Sequence, residues 1–223
     1  MKAIIFDFDG LILDTETAEY QSWLEIYRRY GVELPFEVWA AAVGTSPDSF
    51  NPLSHLLELC PGLAPSPIKL EQKQRMSALA DSLPVMPGVE DLLVEARRLG
   101  LHLAIASTSS QEWVLTHLAR HGLAGRFDVI QTGDRVERVK PYPDVYIAAL
   151  RELQVLAAEA LALEDSPHGI QAAQNAAIFC IAVPNSITRR MDTSRADLVL
   201  DSLASISLPD LLNKVNLIRS NQV

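Results

Sequence analysis

The segment KAIIFDF, residues 2–8, constrains this chain most: a short, apolar, partly β-branched run that stops at Asp9-Gly10. Such a run suits a strand buried on both faces. Similar runs follow at Leu101 to Ala106 (LHLAIA), Val129-Ile130, Ala160 to Leu163 (ALAL), Cys180 to Val183 (CIAV) and Leu198 to Leu200. Helical patterns lie between them. Val89 to Leu99 ends at Gly100, Gln111 to His121 ends at Gly122, and two more cover Pro143 to Leu153 and Pro167 to Ala177. Gly just past a periodic segment is a helix stop. Strands alternating with helices of this length predict right-handed βαβ units and a parallel sheet.

Residues 15–83 break that rhythm. Tyr20, Trp23, Leu24, Tyr27 and Tyr30 recur at helical spacing over Glu16 to Tyr30, and Gly31 stops the pattern. Glu37 to Val43, Ser49 to Cys60 and Ile68 to Ser82 also read as helices, with Pro61 to Pro67 as a loop. No strand pattern occurs there. The fold class is therefore α/β: a parallel sheet core from residues 1–14 and 84–223, with an all-helical insert at 15–83. Trp23, Tyr27 and Trp39 are expected in the core of that insert.

A formal charge of -9 argues against nucleic acid and anionic membrane surfaces as main partners, since both need a positive face. It leaves room for a small anionic substrate, because one local cation can dominate a cleft. No apolar stretch approaches the ~18–20 residues of a spanning helix. Cys60 and Cys180 lack CxxC partners, so a reduced, cytoplasmic setting is expected, with a monomeric chain.

In parallel sheets, ligands bind beyond the carboxyl ends of the strands. Strand one ends in Asp7 and Asp9, strand two in Ser107 and Thr108, and strand four in Glu164 and Asp165; Lys140 follows strand three. Singly, each has an ordinary explanation. A lone Asp, Ser107 or the Glu164-Asp165 pair can cap a helix, and Lys140 can be a solvated charge. Together, four carboxylates in one cleft repel unless a cation sits among them, and hard oxygen ligands at that density suit Mg²⁺. Lys140 can then hold a carboxylate and a phosphate oxygen, while Ser107 donates to phosphate. Asp7 can attack phosphorus, and Asp9 can serve as acid on the leaving oxygen and then as base on water.

At these residues the sequence resembles the haloacid dehalogenase-like hydrolase superfamily, in the branch of β-phosphoglucomutase-like phosphatases. FDFDGLILDTE is similar to its first motif, IAST to the second, VERVKPYPDVY to the third and LEDSPHGIQAA to the fourth. The resemblance implies Asp7 as nucleophile and metal ligand, and Asp9 as acid/base with its backbone carbonyl on the metal. It implies Ser107 and Lys140 on the phosphoryl group, and Asp165 and Glu164 on Mg²⁺. It also implies a Rossmann-like core, with residues 15–83 as an inserted all-helical cap that closes over the site. Gly10, Glu19, Thr45, Thr108 and Ser109 are expected on the substrate side.

Three departures bear on specificity. Glu19 stands where the mutases carry a histidine, and Val43 and Pro47 flank Gly44 where they carry cations. Ala177 replaces a glycine at a helix end, which is expected to be a small packing change. The expected activity is hydrolysis of a small phosphomonoester, a sugar phosphate or similar metabolite, through an aspartyl-phosphate. The alternative is a sugar phosphomutase. A non-enzymatic receiver-type switch also places acids, a hydroxyl and a lysine at strand ends, but the helical insert and the ready base Asp9 argue against it. The dehalogenase branch lacks that second aspartate. The five histidines are scattered, and His117 and His121, four apart on one helix, are expected in a surface or helix C-terminal role.

Overall fold

The computed structural model describes residues 1–40 and 50–221. Six parallel strands form one sheet in the order β3-β2-β1-β4-β5-β6. They are β1 (Ala3–Phe6), β2 (His102–Ala106), β3 (Val129–Gln131), β4 (Ala160–Glu164), β5 (Phe179–Ala182) and β6 (Leu198–Val199). The chain builds outward from β1 to β3 on one side, then returns to lay β4 on the other. The order thus reverses between β1 and β4, the position where parallel sheets open a binding crevice.

Strand parity divides the core. Ile4, Phe6, Leu103, Ile105, Leu161, Leu163 and Ile181 point to one face, under α5 (Val89–Arg98), α6 (Gln111–Arg120) and α9 (Leu208–Ser220). Ala3, Ala104, Ala106, Ala160, Ala162, Cys180 and Ala182 point to the other, under α7 (Asp144–Leu153) and α8 (Pro167–Asn175). Because side chains alternate along a strand, Asp7 and Glu164 share the parity of the alanine-rich face. Small residues there let α7 lie close to the sheet.

Between β1 and α5 the described elements are all helical: α1 (Thr15–Arg29), α2 (Phe36–Ala40), α3 (Pro52–Leu59) and α4 (Pro65–Ala80). Trp23, Ile26, Tyr27, Leu34, Trp39 and Leu56 form a separate apolar cluster, joined by Ile187 from the loop after β5. Asp14 caps α1 and Asn51 caps α3 through side-chain oxygens. The helix expected at Glu37 to Val43 is described only to Ala40; the rest, like Ser49, lies outside the described residues.

Four expectations need correction. Helix α4 begins inside the expected Pro61 to Pro67 loop, because Pro65 and Pro67 fall in a first turn whose N–H groups have no intrahelical partner anyway. Helix α9 was not expected at all, although Leu208, Leu211 and Val215 keep helical spacing and Ser207 caps it. For His117 only the surface alternative fails: it lies in the last turn of α6 but is 2% exposed, with its Nδ1 on the Trp113 carbonyl. Ala177 is a backbone matter rather than a packing one, since its φ of 57° lies in the left-handed region that glycine adopts freely.

Candidate active site

Asp7 leaves β1 one residue past the Phe6–Leu163 register pair, and its N–H donates to the Leu163 carbonyl at 2.9 Å. Glu164 therefore stands beside it on β4. Lys140 arrives from the loop before α7 and is 2% exposed. Its Nζ donates to Asp7 Oδ1 at 2.5 Å and to Glu164 Oε1 at 2.6 Å. Tyr146, on the first turn of α7, donates its hydroxyl to the same Glu164 oxygen. Asp165 completes the group: ligand atoms of Asp7, Glu164 and Asp165 lie within 4.8 Å of one another, all buried.

Ordinary roles for these residues are taken by their neighbours. Ser110 caps α6, which frees Ser107. Ser166 caps α8, which frees Glu164 and Asp165. Gly10 does not line the cleft. Its φ of 84° and missing Cβ let the turn lie against Asp165, whose Oδ2 would sit 2.2 Å from a side chain there. Gly169 makes similar room for Glu164.

Asp9 meets a different environment. Its Oδ1 accepts from Thr15 Oγ1 at 2.8 Å and from Trp113 Nε1 at 2.9 Å. Its Oδ2 accepts from Ser109 Oγ at 2.6 Å and Ser107 Oγ at 3.3 Å. Asp7, Asp9, Ser107, Thr108, Ser109 and Lys140 all border one cleft of about 840 Å³. Its far wall comes from α1, α3 and α4, with Glu19, Trp23, Leu53, Lys69 and Lys73. Thr45 lies outside the described residues.

Electrostatics favour a cation here. Three buried carboxylates lie together, and one ammonium pairs with two of them, Asp7 and Glu164; when all three are ionised, they carry two more negative charges than Lys140 balances. Burial pushes the Asp7 carboxyl up to about 8 against the pull of Lys140, with Glu164 and Asp9 adding to the push. Burial likewise raises Asp165 well above its usual range, reinforced by Asp7, Glu16 and Glu164. Lys140 is held above its ordinary value because Asp7 and Glu164 outweigh its own burial. Glu164 Oε2 is buried with no hydrogen-bond partner among the described residues. Hard oxygen donors, an orphaned carboxylate oxygen and a two-charge deficit fit a small divalent cation such as Mg²⁺.

Four residues escaped sequence reasoning. Asn185, just past β5, donates to Asp165 Oδ2 at 2.7 Å and to the Gly10 carbonyl at 3.2 Å. The strand-end rule, applied to the fifth strand, would have found it. Tyr146 sits inside VERVKPYPDVY, and Glu16 inside the opening motif. Burial raises the Glu16 carboxyl, with Glu19 and Asp9 next in effect, so it belongs to the same acidic surroundings. Trp113 carries no spacing signal, because a turn of chain brings it to Asp9 only in three dimensions.

Known proteins agree on one family. The profile of the haloacid dehalogenase-like hydrolases matches residues 4–183. YhcW of Bacillus subtilis, named as a candidate phosphatase, is 42% identical over 217 residues, covering 97% of this chain and 98% of its own. A Thermotoga maritima protein named phosphorylated carbohydrates phosphatase is 28% identical, covering 96% of this chain and 97% of its own. The solved CbbY of Rhodobacter sphaeroides, in complex with xylulose-(1,5)-bisphosphate, has a TM-score of 0.73 at 33% identity, covering 93% of this chain and 96% of that one. A solved candidate β-phosphoglucomutase from Thermotoga maritima has a TM-score of 0.78 at 26% identity, covering 96% of this chain and all of that one.

Proposed function

This chain belongs to the haloacid dehalogenase-like hydrolase superfamily, in its β-phosphoglucomutase-like branch, and from that premise we propose that this phosphomonoesterase is a magnesium-dependent phosphatase of small phosphorylated sugars working through an aspartyl-phosphate. One observation carries the reading. Asp7 is fixed by Lys140, which is fixed in turn by Glu164, on the floor of a cleft that Ser107 also borders.

In the first step a carboxylate oxygen of Asp7 bonds to phosphorus as the bond to the sugar oxygen breaks. The departing oxygen takes a proton from Asp9. In the second, Asp9 removes a proton from water, the water oxygen bonds to phosphorus, and the bond to Asp7 breaks, releasing phosphate. Lys140 and Ser107 hold the phosphoryl oxygens throughout. Asp7, the Asp9 backbone carbonyl, Asp165 and Glu164 would hold Mg²⁺, which supplies charge neutralisation at the phosphoryl group.

Residues 15–83 serve as the cap that walls the cleft. An 840 Å³ space is far larger than phosphate, and its wall mixes apolar Trp23 and Leu53 with Glu19, Lys69 and Lys73. That mixture suits a polar organic body attached to the phosphate. The phosphatase name of the Thermotoga relative and the bisphosphate in CbbY support a sugar. No helix among the described residues is long and apolar enough to cross a membrane.

The test is a phosphate-release screen over a panel of phosphorylated metabolites with Mg²⁺, with Asp7→Asn as the blank. We expect release from at least one sugar phosphate, and free phosphate rather than glucose 6-phosphate from any glucose 1-phosphate consumed. Asp7→Asn should lose more than about a thousandfold in turnover, since the nucleophile is gone. Full turnover by that variant would end the mechanism.

A further inference from the structure

We propose that Trp113 is a positioning residue for Asp9: its indole N–H fixes which carboxylate oxygen faces the reacting phosphoryl group. The proposal rests on the acid–base reading of Asp9 given above.

The two oxygens of Asp9 are not equivalent. Oδ1 is tied back by Thr15 and by Trp113 Nε1 at 2.9 Å. Oδ2 is turned toward Ser109 and Ser107, the phosphate end of the cleft. Three of these four donors are hydroxyls, which rotate and can leave for a substrate oxygen. The indole N–H cannot, because its direction is set by the ring plane and it has no acceptor role.

That ring plane is held. Trp113 lies against His117 with ring centroids 4.0 Å apart. His117 Nδ1 pairs with the Trp113 carbonyl at 2.9 Å, and Phe8 packs against the imidazole at an angle of 60°, with ring centroids 6.5 Å apart. His117 itself is buried, so the support under the indole is rigid. Trp113 is only partly buried and borders the cleft. A tryptophan that merely filled space would not need its one polar atom aimed at a carboxylate. A donor of fixed direction on a locked base is what holds a functional group in one orientation.

The consequence is selective. The terminal torsion of an aspartate is broad, so without the indole bond the carboxyl samples orientations in which Oδ2 faces away. Both proton transfers of Asp9 suffer, and kcat/KM reads the first, proton delivery to the departing oxygen while Asp7 bonds to phosphorus. An alkoxide needs that proton; a dinitrophenolate leaves without it.

The experiment compares kcat/KM of the Mg²⁺-loaded full chain and its Trp113→Phe variant on two substrates. One is the sugar phosphate found in the screen, and the other is 2,4-dinitrophenyl phosphate. General acid catalysis contributes on the order of a hundredfold or more. We expect Trp113→Phe to lose about tenfold on the sugar phosphate, in kcat rather than KM, and less than about twofold on the aryl ester. In an Asp9→Asn background the Trp113→Phe change should have no further effect.

A benzothienyl analogue of tryptophan at position 113 keeps the shape and lacks the N–H. It should repeat the selective loss even if the phenylalanine variant folds poorly. Equal losses on both substrates, a loss confined to KM, or wild-type rates with the analogue would overturn the proposal. Those outcomes leave the nucleophile reading intact as long as Asp7→Asn is dead. Turnover by Asp7→Asn would instead sink the reading beneath it.

Discussion

The floor and the rim of the cleft hold aspartates two residues apart, and they are built in opposite ways. On the floor, Asp7 is 6% exposed, ion-paired to Lys140 and crowded by Glu164 and Asp165. On the rim, Asp9 is partly exposed and meets four neutral donors. The sheet ends between them, so Asp7 keeps strand parity and points to the alanine-rich face while Asp9 lies in the turn beyond. In the proposed mechanism, charge partners in a dry setting hold the nucleophile but cost desolvation. Neutral donors at a wetter edge hold the carboxyl proposed to give and take a proton. One short motif would thus serve two jobs because the backbone changes course inside it.

The sharpest way to break the contrast is to remove the floor's cation. Lys140→Met leaves three buried carboxylates facing one another. Removing one partner of a buried pair costs about 3–5 kcal/mol, and the cost should grow as pH rises and the acids ionise. Urea unfolding at pH 8 without metal measures it. No comparable loss is expected from Ser109→Ala on the rim, where only a partly exposed hydrogen bond goes. A small effect of Lys140→Met would mean that the floor is not the strained ensemble of charges described above.

A milder change adds a cation instead. Mg²⁺ at a hundredfold excess over its dissociation constant should stabilise the wild type by about 2.7 kcal/mol, by mass action on the folded state. Asp165→Asn should abolish that response and, without metal, unfold at a higher temperature than wild type. The sign follows from Asp165. Its carboxyl is raised in the folded state by burial and then by Asp7, Glu16 and Glu164, so its charge destabilises the metal-free fold at neutral pH. Thermal melts with Mg²⁺ and with chelator check both halves. Equal Mg²⁺ stabilisation in the variant would place the ion elsewhere.

The floor was far more legible in the sequence than the rim. Asp7, Ser107, Lys140, Glu164 and Asp165 each close or follow a strand, and strand ends can be read from short apolar runs. Asn185 obeys the same rule but was overlooked, because its Pro-Asn setting reads as a turn. Tyr146 and Trp113 sit on first turns of helices, and their reach depends on how α7 and α6 pack, which local pattern does not encode. Among the helices, α1 was plain from its aromatic spacing, while the start of α4 was hidden by prolines that usually signal loops. Helix α9 was readable from Leu208, Leu211 and Val215 and simply follows the last strand. The rim also takes Thr15 from the start of α1.

The smallest expected effect probes the rim where it meets the cap helices. Glu19 lines the cleft, and burial pushes its carboxyl up to about 7, with the charge of Asp9 adding to the push. In the unfolded chain the same group titrates near 4.5. A carboxyl raised on folding binds its proton more tightly in the native state, so stability falls as pH climbs from about 4.5 to about 7. Glu19→Gln removes that slope. Wild type and variant should therefore have equal urea midpoints at pH 5, and the variant should be the more stable at pH 8. The gap should stay under about 1 kcal/mol, because Glu19 keeps contact with solvent along the cleft and screening takes most of the interaction. A gap of the opposite sign at pH 8 would mean that Glu19 is charged and paired there, and the rim would then share the floor's construction rather than contrast with it.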